Sequence, residues 1–535
     1  MKKLITGLVI GALSSSAFAT TWTVDDDGKA DFDNIQAAVD AATDGDEIIV
    51  MPGTYFENLN LSYKSLTLRS KDGPDSTIID GGMKGTVVSI VGKGSTSISL
   101  EGFSVTNGTG TESNITGGQD HIGGGLLISG GTITIQNCRI SNNYLLINTP
   151  SQGNYHVLGG GIFANNCVLT ISDTNCNNNV CEGFNDQHDY TSSYAFGGGL
   201  FSLDSTLVID NSFFWGNMAI STATGAWTST NASGGAMCVL NGSATVSNCA
   251  LYDNMVESNA VVGWGAGTPS LATGGGFAAI GSSEVTIQAS SVTDNNIELT
   301  SGQTWYESGN SIAAGAGVCA GSLVSLAWLN GVPEVSIELS DVSGNVILVD
   351  TARGSNAQGA GIATVGNSPW IGTMPLIANT SIENNQIVND GGLYDIGNGG
   401  GVYFMGGTNY IESCTVRDNE SPTTGGAFYF EETNYTTIFD TTVCGNSLVQ
   451  VVGDWVSEGE NCFSFVCKEP DYNGFIEDCP CTGDIDESGI VNTIDVLLLL
   501  AVFGQSGESI GDINADGIVD VTDLLIVINN WGACY

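Results

Sequence analysis

The sequence predicts an all-β chain folded as a right-handed parallel β-helix solenoid, with an N-terminal helical cap and a small α-helical calcium-loop domain at its C-terminus. Three observations carry this. Glycine supplies 74 of the 535 residues and proline only 10, with 41% hydrophobic residues; that balance marks a folded, turn-rich β protein rather than collagen or disorder. A glycine-rich triplet recurs along the chain, each time followed by a short phrase that closes on Asn. Between triplet and Asn lie short stretches of period-two apolar residues, such as Leu207 and Ile209, Val285 and Ile287, and Val335 and Ile337, the pattern of strands with one buried face.

The triplets open at Gly123, Gly159, Gly197, Gly234, Gly275, Gly315, Gly359, Gly399 and Gly425, and the phrases close at Asn143, Asn179, Asn217, Asn254, Asn295, Asn345, Asn385, Asn419 and Asn446. Asn107 reads as an earlier member. The step from triplet to Asn is 20 residues in six of the nine units, and the remainder of each repeat varies freely. Glycine permits the turns a coil needs at tight corners. Strands this short cannot make a core alone, but coils stacked ~4.8 Å apart bury a shared one. An Asn recurring at one corner can bond its side chain to the Asn of the next coil. A β-propeller has blades of similar length, but four clear strands per blade do not fit closing asparagines spaced 27 to 50 residues apart.

Taken in chain order, Lys2-Lys3, the apolar run Leu4 to Leu13 and Ala17-Phe-Ala19 read as a secretory signal peptide over residues 1–19. The expectation is an exported chain, extracellular or at the cell surface, with no membrane span. Net charge is −45, from 12 Lys+Arg against 57 Asp+Glu; removing Lys2 and Lys3 leaves 10 against 57, or −47. Such a chain is a poor partner for nucleic acid or an anionic membrane. In Asp33–Ala42, Ile35, Val39 and Ala42 share one helical face, which predicts the capping helix. A strand at Glu47–Val50 and a turn at Pro52–Tyr55 follow. The solenoid is expected over 20–447, a Cys-containing linker over 448–480, and a separate module over 481–535.

With these elements in place, Val24-Asp-Asp-Asp-Gly28, Ile35-Gln-Ala-Ala-Val39, Pro52-Gly-Thr-Tyr55 and Ile78-Ile-Asp-Gly81 resemble the opening of secreted pectin-lyase-like β-helix proteins. The Gly-Gly-Ala and x-x-Asn units are similar to those of polymorphic outer-membrane adhesins. The resemblance implies the fold and leaves the chemistry open, because this fold carries lyases, hydrolases, adhesins and inert rods.

The C-terminal module duplicates a phrase. Asp484-Ile-Asp-Glu-Ser-Gly-Ile-Val-Asn-Thr-Ile-Asp495 recurs 28 residues later as Asp512-Ile-Asn-Ala-Asp-Gly-Ile-Val-Asp-Val-Thr-Asp523. Oxygen ligands for two Ca²⁺ ions fall at loop positions 1, 3, 5, 9 and 12: Asp484, Asp486, Ser488, Asn492 and Asp495, then Asp512, Asn514, Asp516, Asp520 and Asp523. The carbonyls of Ile490 and Ile518 serve position 7, and Gly489 and Gly517 serve the turn at position 6. Helices are expected at Val496–Phe503 and Leu524–Ile528. Two such loops with Asp at position 12 resemble a type I dockerin, which implies calcium binding and a cohesin-like partner. The family's Ser-Thr pair at positions 10 and 11 is here Thr493-Ile494 and Val521-Thr522, a departure where cohesin is read.

Of the 14 cysteines, Cys138, Cys249 and Cys414 lie five residues before a closing Asn and read as small buried side chains of one core row. Cys176 and Cys181 are close enough for a local bridge, and Cys479 or Cys481 is expected to pair with Cys534, with Cys462 and Cys467 nearby.

Catalytic candidates are sparse. Asp253 and Asp294, with Asp418 further on, precede closing asparagines and recur at stacked positions, where Asp or Gly also suits the turn on conformation alone. Arg139 and Arg417 are read at one repeat position. His121 and His156 precede triplets, His188 lies in a loop, and no nucleophile–base pair is evident. Trp227, Trp264 and Trp305 each follow a closing Asn by ten residues in three consecutive units, with Tyr190, Tyr194 and Tyr306 in the same loop set. A row of aromatic faces suits sugar rings; packing of the loops on one another is the alternative. The reading is an exported protein that binds polysaccharide or a surface glycan through this loop face and is tethered by its calcium module. The alternatives are a hydrolase of O-glycosyl bonds, less readily a lyase, and a structural or adhesive rod.

Overall fold

The computed structural model describes residues 19–464 apart from short segments at 117–118, 149–154, 186–191, 225–227, 261–269, 302–310, 322–332, 352–354, 366–375, 390–395, 432–434, 448 and 460; beyond 464 it describes 467, 483–485, 490–505, 509–513, 517–529 and 531–533. The chain is a parallel β-helix. One coil shows the plan. After the triplet at Gly197, strands run Leu200–Leu203 (sheet I), Thr206–Asp210 (sheet II) and Phe213–Trp215 (sheet III), then, past Asn217, Met218–Ala223 (sheet IV) and Ser229–Ser233 (sheet V). Each of these strands pairs in parallel and in register with its counterparts one coil before and after, and among the described residues sheets I to V have 12, 14, 13, 7 and 9 strands; Thr111–Ser113 at the edge of sheet V is antiparallel to Gln119–Ile122.

Sheets I, II and III enclose the principal core, to which this coil gives Leu200, Leu207, Ile209 and Phe214. Sheets IV and V form a wing. Their facing surfaces bury Cys181, Ala219, Ala232, Ile297 and Leu299, while the other face of sheet V folds back on the outside of sheet I around Phe163, Tyr194, Phe196 and Phe201. Sheet V is therefore covered on both sides, and Ser229–Ser233 is buried throughout. Strands buried on both faces lose alternation, which is why the variable half of each repeat reads as loop in the sequence.

The Gly and Asn motifs make the neck between prism and wing. Nine asparagines, Asn143 to Asn446, form a continuous ladder in which each side-chain amide donates to the Oδ1 of the next over 2.9–3.0 Å. The returning triplet crosses this exit at backbone contact. A Cβ on Gly198 would lie 2.5 Å from the Met218 carbonyl oxygen and 2.6 Å from that of Gly235. Gly197 has φ +68°, and a Cβ there would meet the Leu200 carbonyl at 2.3 Å. The first position is glycine in every unit, whereas the second is alanine at Ala316 and Ala360. Gly197→Ala, which adds a left-handed φ to its clash, is therefore expected to cost about 2–4 kcal/mol, and Gly198→Ala less, since Ala316 and Ala360 show that the backbone at the second position can shift to admit a Cβ, both read from urea midpoints; equal costs would contradict this account of the neck.

A second row of side chains closes the corner between sheets II and III. Cys138, Thr174, Ser212, Cys249, Ser290, Ser340, Thr380, Cys414 and Thr441 each donate to the carbonyl two residues back. The residue before each has φ between 45° and 53°. The three cysteines thus stand in for Ser or Thr in a turn while filling the core row the sequence predicts.

Several expectations are corrected. The fifth triplet opens at Gly274 (φ +62°), not Gly275, because its coil carries one extra turn residue. Asn107 is not a ladder member: it occupies the left-handed corner (φ 57°), and the next residue, Gly108, donates its N–H to Asn143. Gly53–Tyr55 is a strand paired with the next coil, not a turn. The stack also runs past 447, since Val451–Val452, Val456–Glu458 and Cys462–Ser464 join sheets I, II and III. Cys176 and Cys181 are free thiols: Cys176 points into the principal core and Cys181 into the wing core, on opposite sides of the neck. The disulfide seen is Cys444–Cys467, and Cys462 is also disulfide-bonded; Cys479, Cys481 and Cys534 lie outside the described residues.

At the start, helix α1 (Ile35–Ala41) is N-capped by Asn34, whose side chain accepts from the Ala37 N–H, and it buries Ile35, Ala38 and Val39 in the principal core. Asp46 ties this region to the stack. Backbone N–H groups of Thr43 and Thr20 hold its carboxyl down to about 2.

Candidate functional site

The solvent face of sheet III is organised by the two left-handed corners that bound it. Alternation within each three-residue strand sends the central residue inward, as with Phe214 and Leu251, both fully buried, and the flanking residues outward. Register then sets a straight outward row along the axis: Asn177, Trp215, Tyr252, Thr293, Ser343, Glu383 and Arg417. The rings of Trp215 and Tyr252 stack at 6.2 Å and 10°. Phe213 is 45% exposed beside them. This aromatic strip is absent from the sequence reading. Its signal was present, because Trp215 and Tyr252 each stand two residues before a closing Asn.

The same face also carries carboxyls, from the coil of Tyr252 onward. Asp253 and Asp294 hold consecutive corner positions at φ 53° and 54°, shared with Asn142, Asn178 and Gly216; Asp418 holds the same position three coils beyond Asp294. Partial burial pushes the Asp294 carboxyl up, and the Asp253 charge adds to it. Asp341, one coil further, is also pushed up, by burial and then by Glu383 and Asp294, against a hydrogen bond from Ser343. Glu383 pairs with Arg417 at 2.7 Å, and Arg139 with Asp75 at 2.8 Å. Arg139 and Arg417 occupy rows two residues apart, not one repeat position. No Lys or Arg occurs in the sequence between residues 140 and 352.

The histidines differ from expectation. His156 is buried, and its Nδ1 lies 2.9 Å from Asp120 Oδ1 and 2.8 Å from Thr116 Oγ1. Its ring lies on Tyr194 at 4.7 Å between centroids. Burial raises Asp120, but hydrogen bonds with His156 and Thr116 outweigh it and leave the carboxyl low. The cluster is enclosed between sheets V and I at the wing's first coils. His121 lies near Glu112 at 3.8 Å, and His188 is outside the described residues.

Trp227, Trp264 and Trp305, with Tyr190 and Tyr306, also lie outside the described residues. The strands that flank the three tryptophans are successive neighbours in both sheet IV and sheet V.

In the C-terminal module, α2 (Thr493–Ala501) and α3 (Val521–Asn529) begin three residues earlier than expected. Asn492 caps α2, with its side chain accepting from the Ile494 N–H. The position-12 carboxylates sit inside the first turn, fully buried. Asp495 accepts from the N–H groups of Ile485 (2.7 Å) and Asn492 (2.8 Å), and Asp523 repeats the arrangement with Ile513 (2.7 Å) and Asp520 (2.8 Å). Asp512 accepts from the Gly517 N–H through Oδ2, while its Oδ1 is buried with no hydrogen-bond partner among the described residues. An orphaned carboxylate oxygen inside an oxygen-rich loop fits a divalent cation. Asp486, Ser488, Asn514 and Asp516 lie outside the described residues. Among the described residues no helix is long and apolar enough to cross a membrane.

No family model matches the chain, and no curated protein does. Among solved structures it is similar to a pectin methylesterase from carrot (13% identity, TM-score 0.28, covering 66% of this chain and 85% of that one). It is also similar to the catalytic unit of an alpha-1,3-glucanase from Streptomyces thermodiastaticus (12%, 0.30, 81% and 66%). A third is the A-module of a mannuronan C-5 epimerase from Azotobacter vinelandii (11%, 0.28, 81% and 95%). At these scores the likenesses carry no argument; the parallel β-helix rests on the sheet register itself.

Proposed function

We propose that the chain is an exported, right-handed β-helix protein that binds a polysaccharide along the solvent face of sheet III and is tethered through a calcium-binding, dockerin-like C-terminal module. The stacked, partly exposed Trp215–Tyr252 pair carries this reading. Two near-parallel rings in line with the axis, rimmed by Asn177, Ser291 and Thr293, offer apolar surface to sugar rings and hydrogen bonds to their hydroxyls. Trp227, Trp264 and Trp305 would extend the contact from the wing. Affinity electrophoresis of the full chain against neutral, amino and uronate polysaccharides tests it: retention by a neutral or amino polymer supports the reading, and free migration through every gel overturns it.

Hydrolysis is the second reading. Asp294 and Asp341, on consecutive coils, are both pushed toward holding a proton, as a general acid requires. Sustained release of reducing ends that disappears in Asp341→Asn would establish it.

The module's part rests on its twin loops. Asp484, Asp512, the carbonyls of Ile490 and Ile518 and their loop partners would hold two Ca²⁺ ions, each offsetting the crowded carboxylates. Chelation is expected to melt α2 and α3 while leaving the β-helix transition in place, and equilibrium dialysis should give two ions per chain; a chain that binds none would remove the tether. Leu497, Leu500 and Phe503 on the first copy and Leu525, Ile528 and Trp531 on the second are all exposed, which supports a protein partner such as a cohesin.

A further inference from the structure

The sheet III face carries a charge pattern that the aromatic pair alone does not explain. From the coil of Tyr252 onward the face carries Asp253, Asp294, Asp341 and Glu383, one per coil over four consecutive coils, the first two at the corner, Asp341 in the row of Ser291 and Glu383 in the row of Tyr252. Coils are spaced ~4.8 Å apart, so these carboxyls form an acidic band across the width of sheet III that begins beside Tyr252 and runs along the axis. Arg417 pairs with the last of them, Glu383. A repulsive row of this kind is a standing cost to the folded chain. The rings fix where a chain-like ligand lies; the carboxyls fix which charge it can carry.

We propose that the polysaccharide bound on this face is cationic, a polymer of amino sugars with free, protonated amines. The inference rests on the glycan-binding reading and narrows it. The rings of Trp215 and Tyr252 stack on successive sugars, and amines on the sugars that follow lie against Asp253, Asp294 and Asp341. A uronate chain would set its carboxylates against the same row and is rejected. A neutral chain keeps the stacking and gains nothing from the acids.

The test compares affinities of the full chain for a glucosamine hexamer, its fully N-acetylated counterpart and a galacturonate hexamer, at about pH 6 and again at about pH 7. The glucosamine hexamer is expected to bind ~10-fold or more tighter than the acetylated one at low salt, with the difference shrinking as salt rises. Asp294→Asn and Asp341→Asn should each weaken the glucosamine hexamer ~3- to 10-fold and leave the acetylated hexamer unchanged. Asn already occupies the Asp294 corner position at Asn142, Asn178 and Asn384, so the first variant keeps the fold. Equal affinity for both hexamers, or insensitivity of the glucosamine hexamer to both substitutions, overturns the charge assignment while glycan binding stands. Loss of neither hexamer in Trp215→Ala instead removes the underlying site.

Discussion

Replacing Asn217 by Ala is expected to lower hydrogen-exchange protection in the coils around it by about 100- to 3000-fold, a local loss of roughly 3–5 kcal/mol. The side chain is fully buried and makes four hydrogen bonds. Its Oδ1 accepts from the backbone and side-chain amides of Asn179 (3.1 and 3.0 Å), and its Nδ2 donates to the Cys176 carbonyl (2.9 Å) and Asn254 Oδ1 (3.0 Å). Truncation strands the Asn179 donors and the Cys176 acceptor where water cannot reach them. Asn217→Asp separates hydrogen bonding from volume. A buried carboxylate can accept from Asn179 but cannot donate, and it faces two oxygens, so burial raises its pKa. The variant should therefore be least damaged at low pH and lose stability as pH rises through the ordinary carboxylate range. A pH-independent loss would show that space, not donation, is what the ladder position requires.

The second large effect is on binding. Trp215→Ala with Tyr252→Ala is expected to weaken the polysaccharide ~30- to 1000-fold, from about 1–2 kcal/mol of stacking per ring. The two rings touch, so the single changes will not sum to the double; Trp215→Ala alone should cost at least ~10-fold. Both rings stand on the outer face, with Phe214 and Leu251 filling the core beneath, so urea midpoints should move little. Isothermal titration beside a denaturation curve separates the outcomes. A fall in stability with unchanged affinity would make the pair a packing ladder.

The coil plan was legible because its physics is local. Glycine at the tight first corner and Asn at the ladder leave fixed letters at fixed spacing, as Gly197 and Asn217 do. The wing was not legible, since Ser229–Ser233 is buried on both faces and shows neither alternation nor a strong apolar run. The Cys176–Cys181 bridge failed for a related reason: five residues of separation say nothing about the neck between them. The buried Asp120–His156 contact joins residues 36 apart and is visible only once sheet V places them in adjacent coils. At the site, Asp253 and Asp294 were legible as stacked residues of a strained corner. The aromatic strip was overlooked because Phe213-Phe214-Trp215 reads as core until the outward register of a three-residue strand is known.

The most direct test is a crystal structure of the full chain soaked with the glucosamine hexamer. The account predicts an extended chain along sheet III, with sugars on Trp215 and Tyr252 and amines toward Asp294 and Asp341. An oligosaccharide ordered elsewhere, on the wing or on sheet II, with the Trp215–Tyr252 face bare, would contradict it.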